Sequence, residues 1–162
     1  MPYKMKVDGV EKFSETLDKL GENAPTVAAM ALYDGAGIMA DAVRDGAKSI
    51  RTAPFKYARG GQTRLPSPEE KEIVVAAGAG IAKFDKDVDG ASTSVGYSSS
   101  GYAMLKSKVK PVPLIVNSIN SGTSFMKKQP FVRKAAKSTA PKAIRAITEK
   151  IEQSIEAITN NK

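Results

Sequence analysis

The chain contains no histidine and no cysteine. Any chemistry must therefore come from carboxylates, lysines, tyrosines or hydroxyls. The commonest general base and metal ligand are missing, and so are thiolate sites and disulfides. Three groupings still have suggestive spacing. Asp85, Asp87, Asp89 and Gly90 spell the opening of a calcium loop, in which alternate oxygens converge on one cation and glycine permits the sharp turn. Such a loop closes with a bidentate glutamate about six residues after the glycine, and that position is Gly96. Asp89-Gly90 is read instead as a turn between two strands. Gly78 and Gly80 give G-x-G, but the third glycine of a dinucleotide fingerprint is replaced by Lys83, and a strand rather than a helix follows. Glu69, Glu70 and Glu72 could serve a nuclease metal, yet the charge of a helix start already accounts for the first two. The chain is read as no enzyme, with no catalytic residue, cofactor or metal.

Charge points elsewhere. The net charge is +8. Residues 91–148 hold ten Lys or Arg and no acid. A second basic run comprises Arg44, Lys48, Arg51, Lys56, Arg59 and Arg64, opposed only by Asp45. Such asymmetry suits a face that meets phosphate or an acidic protein. No zinc finger, RNA-recognition motif or helix-turn-helix pattern accompanies it, so charge alone would give salt-sensitive, nonspecific nucleic-acid affinity.

The elements must position that basic surface. A length of 162 residues predicts one domain burying about 70% of its unfolded surface. The 41% apolar share without Trp predicts a core of Ala, Ile, Val, Leu and Met. No run is long enough to span a membrane, and MPYKMKVDG lacks the apolar core of a signal peptide, so a cytoplasmic protein is expected. Residues 3–7 alternate as a strand. Val10, Phe13, Leu17 and Leu20 mark a short helix stopped by Gly21. A second helix is expected from Asn23 and Pro25 to Ile50, with Ala28, Leu32, Ala36, Met39, Val43, Ala47 and Ile50 as its apolar stripe. Gly35, Gly37 and Gly46 interrupt it and offer close approach to another element. Residues 51–66, with Phe55 and Tyr57 among their bases, are expected to form a mobile loop. Ser67-Pro68-Glu69-Glu70 starts a short helix that Gly78 and Gly80 end. Strands follow at 81–85 and 91–97, then a basic loop over 98–110. Residues 113–121 fit a strand or a helix, with a helix between Pro113 and Gly122 preferred. Pro130 opens a helical turn. Thr139 and Pro141 start a last helix, in which Ile144, Ile147, Ile151, Ile155 and Ile158 share a face. Lys142 and Arg145 have the wrong sign for a helix N-terminus, and a partner could compensate. The final TNNK is expected to fray. The fold class is α+β: a small antiparallel sheet against a long helix in the N-terminal half and a C-terminal amphipathic helix.

The stretch INSGTSFMKKQPFVRKA resembles the C-terminal signature of the gene-product-ten-like neck and tail components of HK-ninety-seven-type siphophages. It carries Gly122-Thr123, Gln129-Pro130-Phe131 and Arg133, then an amphipathic helix. VDGVEKFSETLDKL and EEKEIVVAAGAGIAKF with SVGY are also similar to that family, in versions from prophages of Gram-positive bacteria, so the resemblance covers nearly the whole chain. Asn120-Ser121 stands where an acidic residue often precedes the Gly-Thr step, and no Thr-Gly-x-Leu segment follows the long helix. The resemblance implies a structural protein of the head–tail junction that forms a homo-oligomeric ring around the channel for double-stranded genomic DNA. Its neighbours would be head-completion and tail-tube or tail-terminator proteins, with no membrane involved. The expected location is the virion, and the host cytoplasm during assembly. Phe125, Met126, Pro130 and Phe131 would then be apolar anchors, with Lys127, Lys128 and Arg133 supplying charged contacts. Phe131 could equally plug the subunit's own core. The alternatives are a small basic DNA-binding protein and a nuclease using Asp85, Asp87 and Asp89.

Overall fold

The computed structural model describes residues 10–55, 60–87 and 90–160; the strand expected at 3–7 lies outside them. Two long helices form the frame, α1 (Val10–Lys48) and α4 (Phe131–Asn160). Between them in sequence come α2 (Pro68–Ala77), the short strands β1 (Gly80–Ile81), β2 (Asp85–Asp87), β3 (Gly90–Ser92), β4 (Val95–Gly96), β5 (Tyr102–Leu105) and β6 (Lys108–Pro111), and α3 (Val112–Ser121). The fold is α+β, with the strands among the described residues arranged in two antiparallel hairpins. In the first, β1 pairs with β4 and β2 with β3; in the second, β5 pairs with β6.

α1 and α4 each correct an expectation. Neither Gly21 nor Pro25 divides α1, and Pro141 does not restart α4. A proline inside a helix removes one hydrogen bond and crowds the carbonyl four residues back. For Pro25 that carbonyl belongs to Gly21. Mutual packing of the two helices offsets the loss. Ala31, Ala36, Ala40, Val43 and Ala47 of α1 are buried, and so are Ala135 and Ala143 of α4. Two of the expected glycines serve this contact. A Cβ on Gly35 would lie 2.6 Å from the Ile147 side chain, and one on Gly46 would lie 3.3 Å from the Phe131 carbonyl. Gly37 faces open space. The wrong-sign N-terminus moves as well. Lys142 and Arg145 are interior to α4, whose first turn is capped where Val132 N–H donates to the Asn120 side chain at 3.2 Å.

The capping signal before α2 holds in full. Ser67 Oγ accepts from the Glu70 N–H, and the Glu70 carboxylate accepts from the Ser67 N–H at 2.7 Å. Gly78 ends the helix with φ +60°. α3 forms where preferred, with Pro113 in its first turn and Gly122 at its end. The basic loop expected over 98–110 is in fact the β5–β6 hairpin. Its turn residues, Lys106 and Ser107, have φ of 49° and 61°, which suits a tight hairpin turn but is uncommon for residues other than Gly or Asn. The core joins Val43 and Ala47 of α1, and Ile50 just beyond it, to Val74, Leu105, Ile115, Ile119, Met126 and Phe131.

Gly35→Val should cost about 1–3 kcal/mol through overpacking against Ile147. Gly37→Ala, in open space within the same helix, should stabilise by up to about 1 kcal/mol. Chemical-denaturation midpoints moving in opposite directions would bear out the helix contact; equal shifts would count against it.

Candidate functional site

The segment 119–134 is held by a turn of its own and by bonds to two other parts of the chain, at Arg51 and Arg64. Thr123 N–H donates to the Met126 carbonyl at 3.0 Å, and the Thr123 hydroxyl accepts from Met126 N–H at 3.0 Å, closing a tight turn. Gly122 enters that turn at φ +77°, and a Cβ there would lie 3.0 Å from that of Lys128. Gln129 clamps the loop after α1. Its side chain accepts from the Arg51 N–H and donates to the Arg51 carbonyl, each at 2.9 Å. Arg64 pairs with the same segment as a strand would: its N–H donates to the Phe125 carbonyl at 2.9 Å, and its carbonyl accepts from Lys127 N–H at 2.8 Å.

The Arg64 side chain is more deeply engaged. Its guanidinium meets both Glu70 oxygens at 2.7 Å, a bidentate pair with side-chain exposures of 12% and 6%. It also donates to the Leu65 carbonyl at 3.0 Å and stacks 4.7 Å from the centre of the Phe55 ring. The Lys106 ammonium lies over that ring as well. Such planar, forked recognition belongs to arginine and not to lysine. Burial pushes the Glu70 carboxyl up, but Arg64 and the Ser67 N–H together outweigh it, leaving Glu70 below its usual range. Sequence reasoning missed this pair, treating Glu70 as helix-start charge and Arg64 as a loop base.

Around the pair lies a cavity of about 400 Å³ lined by Phe55, Arg64, Glu70, Lys106, Lys110 and Phe125, among others. Glu70 is committed to Arg64, so the rim is cationic. Of the expected interaction residues, Phe125 is 51% exposed, and Lys127, Lys128 and Arg133 are exposed. Gly122, Thr123 and Gln129 shape and fasten the segment, and Pro130 is half-buried. Met126, 3% exposed, corrects the expectation that it would act as an outward anchor, and Phe131, 6% exposed, takes the core-plug place of the two expected for it. They fill the subunit's own core, with Phe131 beneath Gly46. The surface therefore rests on Phe125 and the bases.

The groupings with chemical potential do not converge. Asp85 and Asp87 pair with Ser92 and Gly90 in a hairpin, while Asp89 lies outside the described residues. No group of three or more carboxylates is placed to hold a metal among the described residues. The Tyr97 hydroxyl is buried without a hydrogen-bond partner among them, and burial, opposed by the charge of Arg44, pushes it up to about 12. It keeps its proton at neutral pH and is a poor base. No helix is long and apolar enough to cross a membrane among the described residues. No protein-family model, curated protein or solved structure matches the chain.

Glu70→Gln leaves a buried guanidinium without its counter-charge and should cost about 3 kcal/mol at pH 7. The lowered Glu70 pKa adds stability above the unfolded value near 4.5, and this is lost as pH falls through the folded value. Denaturation series at pH 7 and pH 3 should therefore show the gap between wild type and variant narrowing on acidification. A gap independent of pH would remove the charge argument.

Proposed function

We propose that the chain is a non-enzymatic assembly protein of a tailed phage, acting at the head–tail junction by building a ring around the DNA channel. The exposed Phe125, flanked by Lys127 and Lys128 on a fastened segment, carries the reading. An aromatic side chain held on a pinned backbone loses little entropy on docking, and neighbouring lysines favour an acidic partner. The sequence resemblance supplies the phage context, with head-completion and tail-tube or tail-terminator proteins as neighbours. The virion, and the host cytoplasm during assembly, would be its location.

Nonspecific DNA binding is the second reading, favoured by the lysines along the β5–β6 hairpin beside Phe125. The two separate experimentally. In a prophage lacking the gene, complementation with Phe125→Ala/Lys127→Glu/Lys128→Glu should reduce infectious particles at least about tenfold and leave unjoined heads and tails in micrographs, although the variant remains folded. Full complementation would refute the docking role. Titration of free protein with duplex DNA at increasing salt should show negligible binding; stoichiometric, salt-sensitive binding would favour the second reading.

A further inference from the structure

The cavity beside the Arg64–Glu70 pair has a second wall, the inner face of the β5–β6 hairpin. Leu105 pairs with Lys108 and Ala103 with Lys110, and cross-strand partners share a face. Leu105 is part of the core, so Lys108 and Lys110 stand on the inward side, and both line the cavity. Met104 and Val109 turn the other way, to solvent.

Positive charge is crowded on this wall. Among the described residues lining the cavity, Glu70 is the one acid, and Arg64 occupies both of its oxygens. Lys106 is engaged over the Phe55 ring. Desolvation, then the charge of Arg64, hold its ammonium below the usual pKa, with Lys110 adding to the lowering and Glu70 and Glu69 opposing it. Lys108 and Lys110 make no ion pair among the described residues. The cavity therefore offers two uncommitted ammonium groups beside the half-exposed ring of Phe125. Its volume of about 400 Å³ falls in the range of about 300–1,000 Å³ in which proteins hold ligands.

Spacing separates the classes of anion. Two residues apart on one strand, Lys108 and Lys110 project about 6.8 Å from each other. An extended peptide has the same period, since its alternate side chains share a face at that distance. Duplex DNA presents a charge about every 1.7 Å of its axis and demands no such register.

We propose that the cavity receives an extended acidic segment of a partner protein, with carboxylates at alternate positions on Lys108 and Lys110 and an intervening apolar side chain against Phe125. This inference rests on reading the chain as an assembly protein with an acidic partner, and it names what that partner must carry.

Fluorescence anisotropy with the full-length chain tests it. Two labelled peptides of equal composition serve as probes. One alternates aspartate with leucine; the other carries them in successive pairs, so that no two aspartates stand two apart. The alternating peptide should bind at least about fivefold tighter. Lys108→Gln/Lys110→Gln, shown by circular dichroism to be folded, should remove that advantage, whereas Lys137→Gln on the exposed side of α4 should keep it. A duplex oligonucleotide of equal charge should not displace the alternating peptide. Equal binding of the two peptides, an advantage that survives the loss of Lys108 and Lys110, or displacement by the oligonucleotide overturns the proposal. The complementation experiment separates this failure from that of the assembly role. If the peptides fail and the Phe125 triple variant still blocks joining, docking uses Phe125 without the cavity; if that variant complements fully, both readings fall.

Discussion

A buried, forked ion pair ties the start of a helix to the loop before it, and through that loop to a segment about sixty residues further along the chain. Arg64 meets Glu70 with both guanidinium arms, while its backbone pairs with Phe125 and Lys127. Glu70 is also the reciprocal cap of α2 through Ser67. A single carboxylate thus satisfies the start of a helix and the charge that holds the loop before it, and the loop in turn holds the segment that displays Phe125. Buried pairs often add little net stability over an apolar replacement. This one fixes where a backbone lies.

The second constraint is the close approach of α1 and α4. It depends on Gly35 and Gly46 accepting Ile147 and Phe131 and on alanines lining both helices. Phe131 belongs to both constraints. It plugs the core beneath Gly46 and ends the pinned segment, so the exposed residues just before it are referenced to the helical frame. The basic surface is consequently a fixed display, with the cavity by Phe55 and Lys106 at its side.

Much of this was legible in the sequence where the signal was local. Ser67 to Glu70, Gly78, the first hairpin and the Pro113–Gly122 bounds of α3 all rest on interactions within a few residues. Gly21, Pro25 and Pro141 misled because their local cost is outweighed by packing between helices far apart in the chain. The β5–β6 hairpin was hidden by a turn made of Lys106 and Ser107, residues without glycine's freedom at positive φ. At the candidate site, the Gly-Thr turn and exposed bases were readable. The inward Met126 was not, and Phe131 stayed open between core plug and anchor, because facing direction depends on α1. The Arg64–Glu70 pair had one available clue: a capping-box carboxylate bends back toward the residues preceding its helix, and Arg64 is the base there.

The central physical claim is that Arg64 holds residues 123–129 in a fixed display. Residue-resolved amide hydrogen exchange tests it most directly, comparing the wild type with Arg64→Met. In the wild type, the Met126, Lys127 and Gln129 amides, which donate to Thr123, Arg64 and Ile119, should exchange far more slowly than in an unstructured peptide. In Arg64→Met these amides should lose protection while those in the middle of α1 keep theirs. Wild-type rates at unstructured-peptide values, or protection of 123–129 that survives the substitution, would contradict it.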